Sequence, residues 1–418
     1  MFSQAELFAK ALLIEAPWFV SELKFDQNQG RLDIWIDFER GSLFYYEDAS
    51  LGVKGEFKAY DTRQKTWRHL NFFQYECYLH AWVPRIELPD GKIRLVQTPW
   101  EGLSTGFTLL MEAMLMEFMK MMPVHQIGKL YGISDHKLWK MLKQYNHLAR
   151  AEEDYSQVKV IGIDETAVRR GHDYVSMVVD LDEKRTIYVG EGKDQTVLAR
   201  FAEDFIDHNG DPDSVVQVTC DMSPAFIRGV QDNFPNADIV FDRFHIMKII
   251  NEAVDKVRRK EVAENPILKG ARYIFLKNQE NLSIYQQNTL ENIRICGLNL
   301  KTMKALHIRE AFQQIYSAHN PELFEKLLKK WHFWATHSRI EPIKQAAYTI
   351  KRHWNGVLNW IHYRISNGIL EGFNSVFQAA KTKARGYQRT DSIIAIIFLL
   401  TGKINYSKIN PYLITHSK

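Results

Sequence analysis

The feature that most constrains this chain is a succession of short β-rich runs between Val158 and Asp242, separated by turns and helical stretches. Val158 to Val168 (VKVIGIDETAV), Tyr174 to Val179 (YVSMVV) and Thr186 to Val189 are separated only by the turns Gly171-His172-Asp173 and Asp182-Glu183-Lys184. Connections this short leave no room for a crossover, so the spacing predicts an antiparallel meander. Helical spacing then takes over, with Val197, Phe201 and Phe205 on one face of Thr196 to Ile206. A strand from Val215 to Thr219 runs into Cys220-Asp221, a helix starts at Pro224, and a strand from Ala237 to Phe241 runs into Asp242. The order βββαβαβα predicts an α/β (α+β) unit with a mixed sheet flanked by helices.

That order is the ribonuclease H-like arrangement, and its acids are placed informatively. Asp164 interrupts an apolar pattern inside the first strand, where a carboxylate is costly unless compensated. Asp221 lies just past the fourth strand, at the end that the crossover brings beside the first. Alone, each reads as a turn cap; together they repel unless a cation intervenes, and a divalent metal is the natural solution. A third acid stands in SNGILEGFNSVFQAAKTKARGYQR, where Asn367, Glu371, Asn374, Gln378, Lys381 and Arg385 form one helical stripe opposite Leu370, Phe373, Val376, Phe377 and Ala380. Joined to the sheet acids, this is a pattern for phosphoryl transfer with two Mg²⁺ (or Mn²⁺) ions. In it Asp164, Asp221 and Glu371 hold the metal, while Asn374, Lys381, Lys383 and Arg385 hold a DNA backbone. Asp242 and His245, at the next strand-to-helix junction, read either as a cap with a structural histidine or as auxiliary active-site residues at the scissile phosphate.

Over 418 residues the net charge is only +4, but it is unevenly spread. Residues 1–118 hold 12 basic and 17 acidic side chains, a balance of −5, whereas residues 120–150 hold six basic residues against Asp135. Residues 376–418 hold seven against Asp391. A polyanion responds to such local excesses, not to the sum. The first basic segment, MPVHQIGKLYGISDHKLWKMLKQY from Met122, also has the pattern of a helix-turn-helix. Pro123 opens one helix, Gly132 breaks it, Ser134 caps a second, and Leu138, Leu142 and Tyr145 recur at three- and four-residue spacing. His136, Lys137, Lys140 and Lys143 would then face a DNA groove or phosphates. No run approaches the ~18 apolar residues of a membrane span, the first residues lack a signal-peptide pattern, and three scattered cysteines form no disulfide framework. A cytoplasmic, nucleoid-associated protein without a membrane partner is expected.

The motifs GIDE (Gly162 to Glu165), TCDMS (Thr219 to Ser223), DRFH (Asp242 to His245) and SNGILEGFNSVFQAAKTKARGY resemble the ISL3 family of bacterial insertion-sequence transposases, of the DDE class. Tyr60 to Ile86, Pro99 to Thr108 and Ser338 to Trp360 resemble it as well. The resemblance implies a DDE triad of Asp164, Asp221 and Glu371, metal-dependent cleavage and strand transfer, and a helix-turn-helix that reads terminal inverted repeats. It also implies binding to double-stranded DNA, including target DNA, and a homodimer in the DNA complex. The expected domains are a β-rich one at 1–110, the helix-turn-helix at 111–152, a catalytic domain at 153–260 and 355–405, and a helical insertion at 261–354. Members commonly carry paired cysteines in a zinc-binding N-terminal module. The matching regions here carry none, so no zinc is expected, and Cys77, His80 and His69 read as packing. A catalytically silent DNA-binding regulator and a metal-dependent nuclease of the same fold are the alternatives.

Overall fold

Alternation builds the first sheet: Leu32, Ile34 and Ile36 are buried while Asp33, Trp35 and Asp37 between them are not. The computed structural model describes residues 3–48, 52–104, 106–168, 174–296, 300–363 and 368–413; Asn367 and the Gly171-His172-Asp173 turn lie outside them. The chain divides into two units, Met1–Glu153 with Ala379–Lys418, and Asp154–Gln378. The expected catalytic span 355–405 is therefore shared between them.

The first unit opens with α1 (Gln4–Ala11), followed by β1 (Trp18–Asp26), β2 (Arg31–Phe38), β3 (Leu43–Asp48), β4 (Val53–Arg68), β5 (Glu76–Glu87) and β6 (Ile93–Leu95). The strands pair in the order β1-β2-β5-β4-β3, with β6 on β5. Trp67 is wholly buried and meets Trp100 edge-on, as Trp18 does from the other side. These rings fill core volume, each burying about 150–250 Å². Neighbouring groups also account for the histidines and cysteine of this sheet. His80 stacks on Trp35 and bonds Asp33 at 2.5 Å and Thr66 at 2.9 Å. His69 bonds Thr108, and burial, aided by the charge of Arg68, pushes its pKa down to about 4. Burial pushes the Cys77 thiol up to about 12.

The same unit contains α2 (Leu109–Met121), α3 (Val124–Tyr131) and α4 (Asp135–Arg150). Gly132 ends α3 in the left-handed region at φ 65°, and the Ser134 side chain caps α4 by accepting from the Lys137 N–H. Leu138, Leu142 and Tyr145 are buried, as their spacing predicts, and Tyr131 turns inward while Leu130 is exposed. Buried Glu112 ties α2 to its surroundings by accepting from Leu103 N–H, Ser104 N–H and the Tyr145 hydroxyl. The chain's closing helix, Thr390–Thr401, packs on α4, where Asn146 donates to the Ala395 carbonyl.

The second unit follows the expected order. Strands β7 (Val160–Ala167), β8 (Tyr174–Asp180) and β9 (Arg185–Glu191) form the meander, followed by α5 (Gln195–Asp207), β10 (Gln217–Cys220), α6 (Pro224–Asn233), β11 (Asp238–Phe241) and α7 (Arg243–Glu261). The sheet runs β11-β10-β7-β8-β9, with β10 and β11 parallel to β7. Beyond it lie α8 (Arg272–Leu276), α9 (Ile284–Cys296), α10 (Lys301–Ile315), α11 (Pro321–Thr336), α12 (Glu341–Arg352), α13 (Trp354–Tyr363) and α14 (Gly368–Lys383). Apolar faces of α7 to α13 join the sheet in one core, from Tyr155 and Ile161 through Phe312 and Leu328 to Ile361. The helical stretch thus extends the core of the sheet and does not build its own. Helix α13 covers the edge strand β11, where Asn359 donates to the Ile239 carbonyl and Tyr363 to Asp238.

Candidate functional site

Strand register brings the sheet acids together. Gly162 of β7 lies opposite Thr219 of β10, and Cys220 opposite Phe241 of β11. Continuing each register by one or two residues sets Asp164, Asp221 and Asp242 in a single row across three neighbouring strands, with about 4.8 Å between strands. Asp221 and Asp242 stand one residue past their strands, where each carboxylate also caps the turn that follows. Asp221 accepts from Ser223 N–H at 2.8 Å, and Asp242 accepts from Phe244 N–H at 3.0 Å as the N-cap of α7.

Asp164 is the most perturbed acid of the row. Burial pushes its carboxyl up to about 6; the charges of Asp221 and Glu165 add to the rise, while the Glu165 N–H bond and His245 oppose it. Burial also raises Glu165 and Asp242. His245, on the first turn of α7, has Nδ1 3.9 Å from an Asp242 carboxylate oxygen. Among the described residues that buried nitrogen has no hydrogen-bond partner, and neither has buried Oδ1 of Asn374.

Helix α14 lies along β7, keyed to it at three levels. A Cβ on Gly162 would come within 2.9 Å of Leu370, Asn374 donates from Nδ2 to Asp164 Oδ2 at 2.5 Å, and Gln378 donates to the Thr166 hydroxyl at 2.8 Å. Four helical residues advance about 6 Å and two strand residues about 6.6 Å, so the contacts recur in step. Glu371 follows Leu370 and precedes Asn374 by three residues, which sets its Cβ about 5–6 Å from that of Asn374 on the helix surface. Its side chain is exposed. Among the described residues, no three or more of His, Cys, Asp and Glu converge closely enough to chelate a metal.

The basic residues singled out from sequence have different surroundings. His136 and Lys140 are exposed on α4. Lys137 is half-buried with its ammonium 3.5 Å over the Phe107 ring, and Lys143 pairs with Asp391 at 2.7 Å. Lys383 and Arg385 are exposed at the end of α14, and Lys381 is half-buried there. Asn374, expected at a DNA backbone, bonds Asp164, and Val376, expected inside, is exposed. Amphipathic spacing cannot tell a polar sheet surface from water, and here Asp164 and Thr166 make that surface polar. Sequence reasoning passed over the Gln378–Thr166 bond and the partners of Lys143; the even spacing of Leu370, Asn374 and Gln378 was the available signal for the first.

Residues 161–397 match the sequence pattern of a family described as transposase, of the DDE and ISL3 type. The chain is 25% identical over 342 residues to the transposase for insertion sequence element IS1001 of Bordetella parapertussis, covering 79% of this chain and 83% of that protein. It is 24% identical over 383 residues to the transposase for insertion sequence element IS1557 of Mycobacterium tuberculosis, covering 83% and 85%.

Proposed function

The chain belongs to the ISL3 family of DDE transposases, and on that footing we propose that it recognises the terminal inverted repeats of its own insertion sequence and catalyses strand cleavage and strand transfer with Asp164, Asp221 and Glu371. The observation that carries this reading is the in-register row of Asp164 and Asp221 beside a helix that carries Glu371.

Family membership implies dependence on a divalent metal, and the donor chemistry fits one. The row offers hard oxygens, the Asp164 carboxyl sits well above its usual range through burial beside Asp221, and Asn374 Oδ1 is buried without a partner among the described residues. Asp164, Asp221 and Glu371 would hold Mg²⁺ or Mn²⁺, in two ions, which supply Lewis acidity at the scissile phosphate. The chain's own groups do the rest. Glu165 N–H and Asn374 hold the Asp164 carboxylate in one orientation. His245 Nδ1, without a hydrogen-bond partner among the described residues and 3.9 Å from an Asp242 oxygen, is placed to donate to a phosphate oxygen. In the other unit, His136 and Lys140 on α4, Lys383 at the last position of α14 and Arg385 just past it offer exposed groups to duplex DNA, and Lys137, Lys143 and Lys381 are half-buried. The protein acts as a homodimer that pairs two element ends, in the nucleoid.

Asp164→Asn, Asp221→Asn and Glu371→Gln should each abolish Mg²⁺-dependent nicking of DNA carrying the element's ends, while binding to those ends persists in gel-shift assays. Retained nicking in any variant removes that residue from the acidic set. Nicking without joining of pre-cleaved ends to target DNA would make the protein a nuclease.

A further inference from the structure

A cleft of about 550 Å³ opens in the first unit between the start of α4 and the segment 384–392, which follows α14. Its walls include His125, His136, Trp139 and Lys143 on the helix-turn-helix side and Tyr387 and Arg389 on the other. The Trp139 ring meets Tyr387 edge-on at 5.9 Å, so the segment is fastened to the helix by an aromatic contact and not by charge alone. Beside the cleft, one carboxylate joins two residues of its opposite walls. Asp391 takes Lys143 Nζ at 2.7 Å, and the Arg389 guanidinium as a fork at 2.8 and 3.1 Å. Asp135 is the acid of the lining itself and sits 3.2 Å from His125.

A lysine and a forked arginine converging on one small anion is how proteins hold a phosphate, because carboxylate and phosphate oxygens present the fork with the same geometry. Lys143 and Asp391 are partly exposed and Arg389 largely so. Ion pairs this exposed are worth little in water and exchange readily for another anion. The cleft also lies on the N-terminal half of the second helix of a helix-turn-helix, the part that approaches the duplex.

We propose that this cleft seats the sugar-phosphate backbone of duplex DNA, and that Asp391 holds the place of a phosphate until DNA arrives. Lys143 and Arg389 then form one clamp, from two elements, on a strand flanking the groove that α4 enters. The inference rests on the DNA-binding role of the first unit and adds to it a site and its resident competitor.

The test is fluorescence anisotropy of the full-length protein with two probes, a duplex carrying the element's ends and a scrambled duplex of equal length, across a salt series. Removing the competitor in Asp391→Asn should tighten binding about two- to fivefold. Arg389→Gln should weaken binding and lower the log–log salt slope by about 1. Because phosphates carry no sequence, both duplexes should shift alike. Unchanged affinity in both variants, or a change confined to the end-bearing duplex, overturns the clamp. Weaker binding by Asp391→Asn at an unaltered unfolding midpoint overturns it too. If that variant unfolds, Arg389→Gln decides alone, since its side chain is largely exposed. Wild-type protein that binds neither duplex refutes the DNA-binding role itself, a different outcome from wild-type binding that both variants leave untouched.

Discussion

At the scale of single residues, the contact between Asn374 and Asp164 combines an oriented donor with an unsatisfied acceptor. The amide must turn its N–H toward the carboxylate, since its oxygen there would face like charge. That choice leaves Oδ1 buried and, among the described residues, unpartnered, at a cost of about 1–3 kcal/mol. With Asp164 as a metal ligand, as proposed, Asn374 would act through it by fixing its orientation. Asn374→Ala should therefore slow cleavage of end-bearing DNA about 10- to 100-fold with its affinity for that DNA unchanged. Asn374→Asp, which sets a second carboxylate against Asp164, should slow it further. Wild-type cleavage by Asn374→Ala would remove the amide from the site.

At the scale of elements, the helix-turn-helix depends on two glycines for different reasons. Gly132 supplies the left-handed turn, whereas Gly128 supplies space: a Cβ there would lie 2.6 Å from the Ile133 carbonyl oxygen and 2.7 Å from Asp135 Oδ1. The first neighbour is backbone and cannot swing aside. Gly128→Ala should destabilise the first unit by about 1–3 kcal/mol, seen as a lower unfolding midpoint, and should weaken duplex binding because the turn fixes where α4 points. A variant that kept both would show that α3 and α4 have no fixed angle to preserve. This element was legible in the sequence because its signals are local: a breaker, a cap, and spacing within one helix. The acid row was legible only in part. That Asp164 and Asp221 end neighbouring strands follows from the order of elements, but their alignment with Asp242 depends on register, which no local pattern records. In helix α14 only the two stripes were legible, because spacing reports two faces without saying what each one meets.

At the scale of the whole molecule, charge and chemistry are divided between the two units. The acidic set Asp164, Asp221 and Glu371 lies within Asp154–Gln378, and exposed His136 and the exposed cations Lys140, Lys383 and Arg385 belong to the unit formed by Met1–Glu153 and Ala379–Lys418. That residues 379–418 join the N-terminal residues was hidden from sequence, because it depends on contacts such as Asn146 with Ala395 and Tyr406 with Asn146, which span more than half of the chain. The division separates what each set of substitutions can do. Replacing Lys140, Lys383 and Arg385 together by Gln removes cations that release counterions from DNA, and each phosphate contact contributes about 0.9 to the log–log salt slope. The slope should fall by up to about 2.7, and affinity should fall most at low salt. With DNA at saturating concentration, the single-turnover cleavage rate should stay at the wild-type value, because the three belong to the unit that does not carry the acid row. A slope that does not change would exclude these residues from the DNA surface. An unchanged affinity with a collapsed rate would instead assign them to the step that positions the scissile phosphate.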